Sequence, residues 1–178
     1  MSQARLNYHE ESEQAVNEQI NVELKAFYAY LSMASWCNRD DVALPGLSEY
    51  FHAASREEHE HALRLIEYQA KRGGRTVFPA ISMPAVVPEE WKSAVACLEA
   101  SLQLEKEVMA ALLRLHACAE KHADPQLEDF IEQAYLEEQV DAIKEVADLL
   151  TQVKRVGSDG LGLYLFDQQM GKLAASKK

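Results

Sequence analysis

Apolar residues recur along this chain at alternating steps of three and four, and the recurrence is interrupted by acids or histidine where core residues belong. The first such stripe is Val16, Ile20, Leu24, Phe27, Leu31 and Ala34. The second is Leu47, Phe51, Ala54, Glu58, His61, Leu65 and Tyr68, and the third is Trp91, Val95, Leu98, Leu102, Glu105, Met109 and Leu112. Steps of this kind hold every member on one face of an α-helix. Glu58, His61 and Glu105 are therefore expected to point into the same dry interior as the leucines beside them. On the first helix Glu23 lies next to Ile20 and Phe27, and Tyr30 follows two turns later on the same side. Burying an unpaired ion is costly, so converging buried carboxylates imply a cation held between them.

The pattern predicts a first helix from about Tyr8 to Cys37, stopped by the polar turn Asn38-Arg39-Asp40-Asp41. A second runs from Pro45, tolerated in a first turn, to about Lys71, and Gly73-Gly74 ends it. A third is expected from about Glu89 to His122. The fourth opens at Asp124-Pro125, an N-cap followed by a first-turn proline, and runs to about Val156. Its inner face carries Tyr135, Gln139, Ala142, Val146, Leu149 and Val153. Gly157-Ser158-Asp159-Gly160 breaks it, and a short apolar segment follows from about Leu161 to Lys172. That tail is too short to be stable alone, so it either docks on its own bundle or packs against neighbouring subunits. The connection 73–90 contains Pro79, Pro84 and Pro88. Extended, it could span about 60 Å, more than the roughly 40 Å of the second helix. It can therefore cross over between two parallel helices. The fold class is all-α: a four-helix bundle with one long crossover connection and a short fifth C-terminal helix, a single domain over 1–178.

Composition narrows the function. Seven glycines and five prolines in 178 residues leave helix formation unopposed, and a net charge of −11 repels nucleic acid and anionic membranes while attracting cations. Residues 1–13 hold no apolar stretch that could serve as a secretory signal, and no run approaches the roughly 18 apolar residues of a membrane span. Cys37, Cys97 and Cys118 are odd in number and form no CxxC pair, which reads as reduced thiols in a soluble, cytoplasmic protein.

Glu58 and His61 form a Glu-x-x-His pair one turn apart, flanked by Glu57. The third helix adds Glu105 and the fourth adds Gln139. Carboxylate oxygens with one imidazole suit iron, manganese or zinc, and no thiolate belongs to the set. No Lys or Arg stands at the interleaved core positions to neutralise these acids. One metal position is well furnished by Glu23, Glu58 and His61. The other has Glu58 as a bridge, Glu105, and weaker help from Gln139. The symmetric di-iron pattern has a second Glu-x-x-His, but Glu138-Gln139-Val140-Asp141-Ala142 offers no histidine there. The second ion is expected to be held loosely, with iron passing through as substrate rather than staying as a cofactor.

These residues sit within longer stretches that resemble the ferritins. They include Asn21-Val22-Glu23-Leu24, Arg39-Asp40-Asp41-Val42-Ala43-Leu44, Arg56-Glu57-Glu58-His59-Glu60-His61-Ala62 and Arg72-Gly73-Gly74-Arg75. Leu104-Glu105-Lys106, Asp129-Phe130-Ile131-Glu132, Tyr135-Leu136-Glu137-Glu138-Gln139 and Tyr164-Leu165-Phe166-Asp167 complete the match. The resemblance is to the catalytically active heavy-chain type and implies a ferritin-like bundle with a ferroxidase centre at Glu23, Tyr30, Glu57, Glu58, His61, Glu105 and Gln139. It implies a homo-oligomeric shell of twenty-four subunits with octahedral symmetry, alone or mixed with other ferritin subunits. Such a shell oxidises Fe(II) to Fe(III) with dioxygen and stores a ferric mineral, with no organic cofactor. Tyr30 and Gln139 would orient water or ligands, and Glu57 would pass the ferric product onward. Three-fold pores would be lined at His116, Asp129 and Glu132, a negative funnel suited to a hydrated dication. The four-fold axes would present Leu165 and Gln169, without the histidine some heavy chains place there. Glu57 and Glu60, with His59 near, would face the cavity where mineral nucleates, although Leu63 stands where light chains tend to place another acid. The crossover connection is about two residues longer than in vertebrate heavy chains, around Val86-Val87-Pro88. The rival readings are a storage shell without catalysis, a di-iron oxygenase acting on an organic substrate, and a DNA-protecting mini-ferritin.

Overall fold

The first turns of the first four helices each meet a local device or a distant acceptor suited to their orphaned N–H donors. In a computed structural model, which describes residues 2–81 and 91–176, α1 spans Glu10–Cys37. The His9 imidazole accepts from the Glu11 N–H, and Glu10, Glu11 and Glu13 place negative charge at the positive end of the helix dipole. Helix α2 spans Pro45–Lys71 with proline in its first turn. Its neighbour Leu44 has no side-chain acceptor, and Asp167 fills that role from the far end of the chain. The Gly46 N–H donates to Asp167 Oδ2 at 3.0 Å and the Leu47 N–H to Oδ1 at 2.8 Å. Helix α3 spans Ala94–Lys121, capped by Ser93 accepting from the Ala96 N–H. The fourth rod consists of α4 Pro125–Ile131, a π-helical turn Glu132–Leu136, and α5 Glu137–Val156. Asp124 caps α4 by accepting from the Leu127 N–H. The tail helix α6 spans Gly160–Ser176.

Cross-helix bonds fix the directions. Ser48 donates to Ala34 O and Ser55 to Phe27 O, which makes α1 and α2 antiparallel. Tyr30 reaches Ser101, and Lys121 reaches Glu11, which makes α1 and α3 antiparallel. Helices α2 and α3 are therefore parallel, and the segment between them is a crossover, as the length of 73–90 predicts. Tyr50 to Glu145 and Tyr135 to His61 run the last rod antiparallel to α2.

Two apolar clusters make the core. One gathers Tyr30, Met33, Trp36, Leu47, Phe51, Trp91, Leu98, Leu149, Phe166 and Met170. The other gathers Tyr8, Ile20, Leu65, Tyr68, Leu112, Leu115, Leu127, Ile131 and Tyr135. Between them every rod contributes a buried polar residue: Glu23 on α1, Glu58 and His61 on α2, Glu105 on α3, Gln139 on α5. The polar residues thus form a band across the middle of the bundle.

Five expectations need correction. The buried line of α1 is Val16, Gln19, Ile20, Glu23, Ala26, Tyr30, Met33 and Ala34, while Leu24, Phe27 and Leu31 are half-buried on its flank. The line of α3 is similarly rotated, with Cys97, Ser101 and Val108 buried and Val95, Leu102 and Met109 half-buried. Helix α3 begins at Ala94, because Ser93 caps it in extended backbone, and not at Glu89. The fourth rod is not one α-helix. Its inner residues Leu127, Ile131, Tyr135 and Gln139 are spaced by fours, and each such step overshoots a turn by about 40° at 3.6 residues per turn. The wider π-turn absorbs that drift. It is held by Tyr135 donating to His61 O at 3.0 Å and Arg64 donating to Ala134 O at 2.9 Å. The tail helix also runs past Lys172 to Ser176, and Phe166, Asp167, Met170 and Ala174 are buried on the chain's own bundle, chiefly against α2. Leu161, Tyr164 and Leu165 remain exposed, leaving an apolar edge available to neighbours. Pro84, Pro88, Val86 and Val87 lie outside the described residues.

Candidate metal centre

Four rods deliver side chains to one point because the polar interruptions fall at the same height. Glu23, Glu58 and His61 each place a ligand atom within 4.8 Å of the others, and all three are buried. His61 Nδ1 stands 3.7 Å from Glu58 Oε2. Glu23 Oε1 accepts from Gln19 Nε2 at 2.7 Å. Glu23 Oε2, Glu58 Oε2 and both ring nitrogens of His61 have no hydrogen-bond partner. Buried polar atoms are nearly always paired, so a group of orphaned donors facing one another matches a metal position. Two carboxylates and one imidazole are the donor chemistry of Fe(II), Mn(II) and Zn(II).

The second position differs. A small cavity of about 30 Å³ is bordered by Glu58, His61, Glu105, Glu138, Gln139 and Glu145, with Tyr30, Tyr50 and Glu57 also in its wall. That volume suits a single ion or water. Glu58 and His61 thus stand between Glu23 on one side and this cavity on the other. Tyr30 donates to Glu105 Oε1, and Gln139 donates to Glu105 Oε2 and, at 3.1 Å, to Glu105 O. Both oxygens of Glu105 already accept hydrogen bonds, so a cation there must compete with them. One half of the centre has uncommitted donors and the other half does not.

Electrostatics follow from the crowding. Burial, and then the neighbouring Glu58 charge, holds the Glu23 carboxyl well above the ordinary carboxylate range. Burial, and then Glu105, does the same to Glu58. Burial followed by Glu105 pushes the Tyr30 phenol far up, so it stays a donor. Raised carboxyl values mean that metal-free stability from these groups is fully present below their unfolded value near 4.5 and is lost as pH rises through the folded values. A bound dication needs the deprotonated forms, so its uptake releases protons and tightens as pH rises. Anaerobic Co(II) titration is expected to show clearly weaker binding at about pH 5.5 than at about pH 7.5, with proton release in weak buffer. Equal affinities at both pH values would remove Glu23 and Glu58 from the ligand set.

Several neighbours were not anticipated from the sequence. Glu138 Oε2 lies 3.5 Å from His61 Nε2 and 4.0 Å from Arg64. Glu145 accepts from the Tyr50 hydroxyl at 3.0 Å and borders the cavity. Gln19 and Ser101 support Glu23 and Tyr30, the latter at 2.9 Å. The signals were present: Glu138 and Glu145 are seven residues apart, and Gln19 and Ser101 precede Glu23 and Glu105 by one turn. Glu57 is half-buried and borders both the inner cavity and an outer recess formed with Ala53, Arg56 and Glu60.

Elsewhere, His116 Nε2 pairs with Glu132 Oε1 at 2.8 Å, and Asp129 is exposed three residues before Glu132, where it accepts from Gln133. Leu165 and Gln169 are exposed on α6, with Gln169 reaching Gln152 at 3.4 Å. Cys37 and Cys97 are buried and Cys118 half-buried, all with free thiols. Among the described residues, no helix is long and apolar enough to cross a membrane.

Residues 13–156 match the family model described as Ferritin-like domain. The chain is 51% identical over 169 residues to soma ferritin of Lymnaea stagnalis, covering 95% of each. It is 48% identical over 174 residues to the ferritin middle subunit of Aquarana catesbeiana, covering 97% of this chain and 98% of that one. It is 47% identical over 169 residues to the ferritin heavy chain of Echinococcus granulosus, covering 95% and 96%. With a matching fold, a metal-suited band of donors and relatives of this similarity across nearly its full length, the chain belongs to the ferritin family.

Proposed function

We propose that this protein is a ferroxidase as well as an iron store: it oxidises Fe(II) with dioxygen inside each subunit and deposits ferric mineral in a hollow shell. Family membership supports iron storage. The observation that carries the catalytic reading is the group of unsatisfied buried donors from Glu23, Glu58 and His61. Fe(II) is the substrate. One ion takes Glu23, Glu58 and His61, and a second takes Glu58 and Glu105 with Gln139 beside it. Two Fe(II) ions together give two electrons to one dioxygen, which takes up two protons and leaves as hydrogen peroxide, and the protein supplies spacing and negative charge. Gln139 and Tyr30 orient Glu105 through their hydrogen bonds. Glu57, which borders the inner cavity and the outer recess, receives the ferric product.

The shell is read as twenty-four copies of this chain in octahedral arrangement, in the cytoplasm. Iron enters by three-fold pores lined by His116, Asp129 and Glu132, and the exposed Leu161, Tyr164 and Leu165 edge of α6, with Gln169, is covered at the four-fold axes. Aerobic Fe(II) addition followed by ultraviolet absorbance, run beside size-exclusion chromatography, tests both parts together. Fast absorbance growth from a particle of about twenty-four subunits is expected. A shell that oxidises iron no faster than buffer would leave storage without catalysis.

A further inference from the structure

A second set of metal donors lies on the surface, where the N-terminal segment meets the far end of α3. We propose that His9, Glu11 and His122 form a binding site for a divalent transition ion of the Zn(II) or Cu(II) class, which staples the start of α1 to the end of α3. One ligand atom from each of the three lies within 4.8 Å of the other two. The two imidazole rings stack with centroids 3.7 Å apart and planes 9° from parallel, so one ring must turn out of the stack before both can present an in-plane lone pair to one ion. His122 Nε2 and Glu11 Oε2 share a hydrogen bond at 3.0 Å, and two ligands each about 2.0–2.2 Å from one ion could take its place with little movement.

The donor chemistry differs from that of the buried centre. Two imidazoles and one carboxylate favour Cu(II) and Zn(II), with Fe(II) well behind in the general affinity order. His122 is the C-cap of α3, where the helix dipole favours a cation. It follows His116 by six residues, about a third of a turn out of line, so this site is separate from the His116, Asp129 and Glu132 surface.

Three existing contacts must yield to the ion, the first being the hydrogen bond between His122 Nε2 and Glu11 Oε2. Lys121 donates to Glu11 Oε2, but its side chain is 62% exposed, and the ammonium can turn to water at little cost. His9 Nδ1 accepts the Glu11 N–H at 3.1 Å as the cap of α1. Binding through Nε2 would move the ring proton to Nδ1 and replace that exposed cap bond with a metal bond. The segment is otherwise tied by Asn7 donating to Ala123 O at 3.2 Å and Arg72 donating to Asn7 O at 2.7 Å. An ion would add a third tie at the same junction.

The assembled protein, crystallised with Zn(II) and measured by anomalous scattering at the zinc edge, tests this. Wild type is expected to show a peak within bonding distance of His9, Glu11 and His122. His122→Asn is expected to lose that peak and keep all other zinc peaks. Cu(II) titration followed by electron paramagnetic resonance should count one ion fewer per chain in His122→Asn and in His9→Gln. His9 is exposed and His122 half-buried at a helix end, and a thermal melt verifies that both variants stay folded. Absence of the peak while the buried centre fills, its retention in His122→Asn, or an unchanged copper count would each overturn the proposal.

Discussion

Changing Glu58 and His61 together to glutamine is expected to slow initial Fe(II) oxidation by more than about 100-fold while the shell still assembles. Loss of an outer partner of a metal ligand costs roughly 10–100-fold. The double variant removes more: the carboxylate that stands between the two positions and the sole imidazole of the centre. Stability should move little in the metal-free protein. The wild-type fold already forces Glu58 toward protonation, through burial and then through Glu105, and a neutral amide carries no such penalty. The metal-free stability, read from thermal melts, is therefore expected to stay within about 1 kcal/mol of wild type. The rise in melting temperature produced by Co(II) or Zn(II) should shrink, because that rise reports ligand bound to the native state. Initial rates equal to wild type would reject the assignment of the centre. Loss of assembly would show that the band is structural first.

Much of this was legible in the chain because local signals and burial agree. Pro45 and Asp124-Pro125 mark helix starts through backbone chemistry that needs no tertiary information, and both are found in those roles. Glu23, Glu58, His61, Glu105 and Gln139 were legible because each interrupts or adjoins an apolar stripe at a core-facing step. The stripes of α1 and α3 were read slightly out of rotation for a related reason. Leucine and phenylalanine were taken to mark the centre of the buried face, whereas beside the polar band the centre is filled by Gln19, Glu23, Ala26 and Tyr30. Larger apolar residues stand on the flank, half-covered. The π-turn was legible only in the run of fours from Leu127 to Gln139, which a search for alternating threes and fours passes over. The Asp167 cap had no local signal at all, since donor and acceptor are 121 and 120 residues apart.

That distant cap sets up the second large effect. Gly46→Ala is expected to destabilise the protein by about 4 kcal/mol or more and to release α6. A Cβ on Gly46 would fall 1.8 Å from the Asp167 carbonyl oxygen and 2.9 Å from the Gly171 nitrogen, both backbone atoms that no rotamer change can move. Relief therefore requires α6 to shift as a body. The shift would break the two bonds by which Asp167 caps α2, a cap being worth about 1 kcal/mol. It would also lift Phe166 and Met170 out of the core, where full burial contributes about 1.5–3 kcal/mol each. Gly171→Ala is the control, because its Cβ would meet Gly46 Cα at 3.5 Å, an ordinary contact, and a change within about 0.5 kcal/mol is expected. Asp167→Asn keeps one acceptor oxygen and should fall between, near 1 kcal/mol. The 157–160 connection is already at the surface, and release of α6 would free its far end, so limited proteolysis should cut there faster in Gly46→Ala than in wild type. A Gly46→Ala protein with wild-type melting and no faster cleavage would mean that α6 docks without the close backbone approach. The Asp167 bonds would then be a consequence of docking and not its anchor.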